Sequence, residues 1–244
     1  MALEKSNTAL VARELSLAYG NLLAVDRVSV SVQLQERLFL LGPNGAGKTS
    51  LIKLLCGLLT QDSGTVSLTG RNVSAMTIGY CPQHLSIWRD LTCSEQLVFM
   101  AKMHGVPACK RKKTIPFLLD NLNLRDKENH LAGHLSGGMQ QALNLALSMV
   151  HDPDVLILDE PFAGIDLQRR FHLRNMIHAL AHKKGKGILI STHDIGEAEK
   201  MADRVAIMDK GVMLKTGTPE ALKGEASDSL EEVFMALTNR GACP

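Results

Sequence analysis

The segment Gly42-Pro43-Asn44-Gly45-Ala46-Gly47-Lys48-Thr49 constrains this chain more than any other eight residues in it. It fits G-x-x-x-x-G-K-[ST], and its flanks suit that pattern. Leu38-Phe39-Leu40-Leu41 reads as a buried strand leading in, and Leu51, Leu54 and Leu55 read as one face of a helix leading out. Glycines in such a turn let backbone N–H groups face a polyphosphate at the helix start, where the helix dipole favours negative charge. Lys48 then bridges the terminal phosphates, and the Thr49 hydroxyl, with Ser50 behind it, supplies an oxygen to Mg²⁺. The competing reading is a glycine turn with no ligand, and the strand and helix on either side argue against it.

A strand–loop–helix of this kind predicts an α/β fold with a parallel sheet. Two later apolar runs fit that sheet, Val155-Leu156-Ile157-Leu158 and Gly187-Ile188-Leu189-Ile190, separated by a helical stretch from about Leu167 to His182. Strands buried on both faces read as unbroken apolar text. The first third reads as short strands: alternation at Val28, Val30 and Val32, then Thr65-Val66-Ser67-Leu68 closed by Thr69-Gly70. From Leu91 to Val150 the text turns helical, with a capping box at Thr92-x-x-Glu95 and a stop at Gly105 before Pro107. A hairpin signal at Asp209-Lys210-Gly211 follows, then a last helix through Leu230, Val233, Phe234 and Leu237 behind a Ser229-x-x-Glu232 box. With no linker and no repeat, the expectation is one unit over residues 1–244. Its core is residues 1–83 and 151–244, and a helical subdomain is inserted at about 84–150.

Charge narrows the function classes. The 27 Lys+Arg nearly balance the 25 Asp+Glu, for a net charge of +2, so a strongly basic nucleic-acid binder is excluded and no nucleic acid is expected as a partner. Lys110-Arg111-Lys112-Lys113 reads as a solvated helix face, with anionic lipid or a loop of a partner protein as the alternative. The apolar runs fall far short of the roughly 18 to 20 residues that span a bilayer, and the opening residues carry no signal core. Five cysteines, odd in number and without a CxxC pair, read as reduced thiols in a cytosolic compartment.

Two further segments carry chemistry. Val155 to Leu158 ends in Asp159 and Glu160, and ligands bind at the carboxyl ends of parallel strands. Those acids divide the work: Asp159 holds Mg²⁺, while Glu160 polarises the water that attacks a γ-phosphate. Alone, the pair reads equally well as a solvated strand end. Leu135-Ser136-Gly137-Gly138-Met139-Gln140-Gln141 opens a second helix whose free N–H groups, with Ser136, form another anion-binding start.

Taken together, GPNGAGKT, LSGGMQQ, VLILDEP and a downstream histidine resemble the ATP-binding subunit of an ABC transporter over essentially the whole length. The resemblance implies a P-loop ABC ATPase with a RecA-like core, an N-terminal antiparallel β subdomain and the helical insertion. It implies ATP and Mg²⁺ as cofactors. It also implies that Tyr19 stacks on adenine and that Gln83 touches Mg²⁺ and its water. Ser136, Gly137 and Gly138 then reach the γ-phosphate held by an opposite protomer, Asp166 crosses the dimer interface, and His193 senses the γ-phosphate. Without the resemblance, Tyr19 reads as a strand residue with a wet hydroxyl. Gln83 reads as an exposed loop amide, and His193 as a loop or capping residue.

Two copies, or this chain and a related one, are thereby expected to sandwich two nucleotides head to tail. The output passes to a separate integral membrane permease, with the chain peripheral on the cytoplasmic face, through a groove between Gln83 and the insertion. Trp88 lies beside that groove, either packed on a permease helix or simply buried in the insertion. The stretches Ile78–Gln83, Asp90–Glu95 and Ser229–Phe234 resemble exporters of the multidrug or ABC-2 type. A soluble ATPase that drives iron–sulfur or other assembly shares every motif and is the alternative. Two departures stand out, Ala142 and Leu147, where the family commonly carries arginine; they are expected to alter local electrostatics without loss of ATP binding.

Overall fold

The computed structural model describes residues 7–68, 77–224 and 229–238. The chain runs β1 (Thr8–Tyr19), β2 (Leu22–Gln33), β3 (Arg37–Leu41), α1 (Lys48–Leu55), β4 (Ser63–Leu68), β5 (Ile78–Cys81), α2 (Cys93–Met103), α3 (Ala108–Asn121) and α4 (Gly137–Met149). It continues through β6 (Val155–Asp159), α5 (Leu167–His178), β7 (Gly187–Thr192), α6 (Ile195–Met201), β8 (Arg204–Asp209), β9 (Val212–Gly217), α7 (Pro219–Lys223) and α8 (Leu230–Thr238).

One sheet has the order β5-β6-β7-β3-β8-β9, parallel except for the last strand; a smaller antiparallel sheet has the order β2-β1-β4. Side chains alternate across a strand, and here successive residues feed two cores. Leu38, Leu40, Val155, Ile157 and Leu189 pack with α1 and the antiparallel sheet. Phe39, Leu41, Leu156, Leu158, Ile188 and Ile190 pack with the helices on the other face. Both faces are therefore dry, which is why the central strands carry no polar alternation.

Most local signals act as their chemistry predicts. The Thr92 hydroxyl accepts from the Glu95 N–H while the Glu95 carboxylate accepts from the Thr92 N–H, closing the box that starts α2. Lys210 and Gly211, both with positive φ, make the two-residue turn between β8 and β9. Lys110, Lys112 and Lys113 are exposed on α3, as a solvated face requires. Burial pushes the Cys56 and Cys81 thiols up to about 12, with the Asp159 charge adding to it, so both are protonated and inert. Thr69-Gly70 and Cys243 lie outside the described residues.

Two features differ from the sequence reading. β1 and β2 are not short: each has 12 residues, and their pairing survives through register shifts near Glu14 and Arg27, both in left-handed backbone. Bulges of this kind bend a long strand without ending it. The stretch from Leu91 to Val150 is also less helical than expected. Single 3₁₀ turns at Arg125–Lys127 and Ala132–His134 bridge α3 and α4, bringing Leu131 back against Thr92.

Candidate active site

The site is built where three strands end together. Asp159 at the end of β6 pairs with Ser191 of β7, and Leu41 at the end of β3 pairs with Thr192 of β7. The carboxyl ends of these strands thus form one ledge, with the phosphate loop rising from β3 to α1. The loop's glycines answer to crowding as well as to conformation. A Cβ at Gly42 would strike the Met208 carbonyl, and one at Gly47, whose φ is 98°, would strike the Ala24 carbonyl.

Lys48 and Thr49 begin α1. The Lys48 ammonium is only 7% exposed; it donates to the carbonyls of Gly42 (2.6 Å) and Pro43 (3.1 Å) and stands 4.0 Å from Glu160 Oε1. Burial pulls its pKa below the ordinary lysine value, against the opposing pull of Glu160 and Asp159. Thr49 Oγ1 donates to Asp159 Oδ2 at 3.0 Å. The other Asp159 oxygen accepts from Ser191 Oγ at 2.5 Å, and Ser191 Oγ in turn accepts from the Glu160 N–H at 3.0 Å. Glu160 has φ 51°, a left-handed conformation costing about 1–2 kcal/mol for a residue with a side chain. Ser191 holds that strained backbone in place through two bonds, one to its hydroxyl and one to its carbonyl at 3.2 Å.

His193 Nδ1 lies 3.0 Å from both Glu160 carboxylate oxygens. An ionised carboxylate only accepts, so Nδ1 carries the proton and Nε2 faces away.

A cavity of about 460 Å³ opens above this ledge. Its walls bring together Tyr19, loop residues 44–50, Gln83, Asp159 and Glu160, and Tyr19 is half exposed. Gly45, also with positive φ, has open space beside it, leaving a cradle where backbone N–H groups can meet phosphate oxygens. Thr49, Asp159 and Gln83 offer an all-oxygen donor set, which suits the hard cation Mg²⁺. The residues present thus fit both groups.

Ser136, Gly137, Gly138 and Asp166 do not line that cavity. Ser136 and Gly137 stand exposed at the start of α4, where the Ser136 side chain makes no capping bond. Asp166 caps α5 instead, accepting from the Arg169 N–H at 2.9 Å. Two participants escaped the sequence reading. Ser191 reads as an ordinary strand residue, and only its pairing opposite Asp159 shows its part. Arg169 donates to Ser136 Oγ at 3.3 Å, across 33 residues of sequence. The two departures take their places around α4. Leu147 is buried along a groove between the core and the helices, and Ala142 lines a small cavity of about 70 Å³ under α4.

The family model for ABC transporters matches residues 25–163. The chain is 39% identical over 216 residues to Nod factor export ATP-binding protein I of Burkholderia orbicola, covering 86% of this chain and 71% of the relative. The namesake from Ralstonia nicotianae is 36% identical over 223 residues, covering 88% and 69%. Among solved structures, an ATP-binding subunit of an ABC transporter superposes with a TM-score of 0.86 at 29% identity, covering 94% of this chain and 99% of that one. An inward-facing metal-chelate type ABC transporter shares the fold at a TM-score of 0.79 and 22% identity, covering 95% and 88%. With the phosphate loop, the acid pair and the histidine assembled on one ledge, the chain belongs to the ABC transporter family, as one of its ATP-binding, ATP-hydrolysing subunits.

Proposed function

We propose that this chain powers export through a separate membrane permease, closing with a second copy or a related chain around two ATP molecules. The observation that carries the dimer is the exposed start of α4. A helix N-terminus whose own serine does not cap it favours an anion, yet it lies outside the phosphate cavity of its own chain. A partner's nucleotide supplies that anion. Beside it, Leu167 is 83% exposed next to Asp166, an apolar surface that closure would cover.

Within this reading Tyr19 stacks on adenine. Lys48 and the backbone of residues 42–47 hold the phosphates, with Ser50 behind them. Mg²⁺, held by Thr49, Asp159 and Gln83, would neutralise phosphate charge. Glu160 accepts a proton from water as the water oxygen bonds to the γ-phosphorus and the bond to the β–γ bridging oxygen breaks, releasing ADP and phosphate. His193 steadies the Glu160 carboxylate, with Nε2 left to meet the phosphate. Ser136, Gly137 and Gly138 lid the partner's γ-phosphate, and Asp166 lies across the interface. Cleavage removes the group they grip, and the pair opens.

The output leaves through a groove of about 380 Å³ between core and helices, lined by Tyr80, Pro82, Trp88, Met100 and Leu147. Trp88 is 44% exposed there, edge-on to Phe99 at 5.4 Å. We treat residues of about 84–150 as the unit that tilts against the core, with the chain peripheral on the inner membrane face. No helix among the described residues is long and apolar enough to cross a membrane. Export follows the named role of the Burkholderia and Ralstonia relatives, in which it is Nod factor that leaves the cell.

Purification from detergent-solubilised membranes tests the partner: recovery with a multi-spanning permease is expected, and recovery with soluble proteins alone would establish the assembly alternative instead. Ser136→Arg tests the dimer. It should leave ATP binding by the single chain within about twofold and abolish ATP-driven dimerisation by light scattering. Dimerisation at the parent ATP concentration would overturn the shared site.

A further inference from the structure

Arg169 occupies a position that neither the fold nor the phosphate chemistry of its own chain requires. Its Nη1 donates to Ser136 Oγ at 3.3 Å, and its Nε lies 3.5 Å from Asp166 Oδ2, so one guanidinium links the Asp166 segment to the start of α4. It also covers Gly138 so closely that a Cβ there would collide with the guanidinium. Electrostatically this is an awkward place for a cation. Arg169 sits in the first turn of α5 and against the first turn of α4, so it faces the positive ends of two helix dipoles, with Asp166 as its paired carboxylate. A cluster with that balance gains by taking up an anion.

We propose that Arg169 is a positioning residue of the shared ATP site, holding Ser136 as a donor to the partner's γ-phosphate; this rests on the dimer reading above. The argument turns on the hydroxyl. A serine oxygen that accepts from an arginine keeps its single proton for another acceptor, so the bond from Arg169 aims the Ser136 O–H away from the protein and into the place left for phosphate. Because the same guanidinium holds Asp166, the two segments that meet the partner move as one piece. The arginine's remaining N–H groups add positive charge beside the phosphate as the interface closes. Arg169 is partly exposed.

The test uses the full chain carrying Glu160→Gln, so that hydrolysis does not consume the ATP, and reads dimerisation against ATP concentration by light scattering. Adding Arg169→Ala should raise the ATP needed for half-dimerisation about tenfold, the size of one charge-assisted hydrogen bond. ATP binding by the single chain should stay within twofold, which also reports that the fold is intact. Arg169→Lys, which keeps the charge and loses the fork, should recover part of the loss. Combined with Ser136→Ala, Arg169→Ala should add less than twofold to the serine variant's own defect, since the arginine acts through that hydroxyl. Half-dimerisation at the parent concentration, or effects of the two substitutions that multiply, would overturn the assignment. If the parent dimerises with ATP, those outcomes count against Arg169 alone; a parent that stays monomeric would remove the shared site and this inference with it.

Discussion

Glu160→Gln should lower ATP turnover by about 10³-fold, within the span that a positioned general base supplies, while ATP binding persists or tightens. Two features fix the direction. Glutamine takes no proton from water, so the attacking oxygen loses its base. The substitution also deletes a negative charge 4.0 Å from the Lys48 ammonium, beside the phosphates, so repulsion of the nucleotide falls. The amide oxygen still accepts from His193 Nδ1–H, and the Ser191 bonds to the backbone of residue 160 do not depend on the side chain. The geometry should survive. The measurements are steady-state phosphate release and gel filtration with ATP and magnesium, where a long-lived dimer is expected. Hydrolysis at the parent rate would show that another group takes the proton.

Lys48→Ala should weaken ATP binding by at least about 10²-fold, roughly 2.8 kcal/mol at 1.4 kcal/mol per tenfold. Lys48 is the cation buried against both Asp159 and Glu160, and the carbonyls of Gly42 and Pro43 hold it under the loop. Removing it costs the phosphates their cation and leaves Glu160 beside them without an opposing charge. Isothermal titration with a non-hydrolysable ATP analogue reads the loss directly. Affinity within threefold of the parent would mean that the loop backbone alone carries the phosphates, and the bridging role of Lys48 would fall.

The phosphate loop, the acid pair and the central strands were legible because each is local. A buried strand, a glycine turn and a capped helix are written in consecutive residues, and the dry central sheet leaves its mark as unbroken apolar runs. Ser191 and Arg169 were not legible, because their partners Asp159 and Ser136 are more than thirty residues away. A serine in ILISTH or an arginine in LQRRF looks like any other until strand register or helix packing selects it. The length of β1 and β2 was hidden for a related reason: a bulge breaks the alternation of apolar residues without breaking the hydrogen-bonded ladder, so one bent strand reads as fragments.

The strip of chain after β5 carries a mechanical consequence. Gln83 faces the phosphate cavity; three residues on, the Ser86 N–H donates to Asn144 Oδ1 of α4 at 3.1 Å; two further, the Trp88 backbone is clasped on both sides by the Gln96 amide of α2. Five residue-to-residue steps, at most about 18 Å of chain, therefore connect three stations that would otherwise have to communicate through packed interior. A tug at one end is felt at the other as a tether is felt, in tension, with no side chain needing to repack along the way.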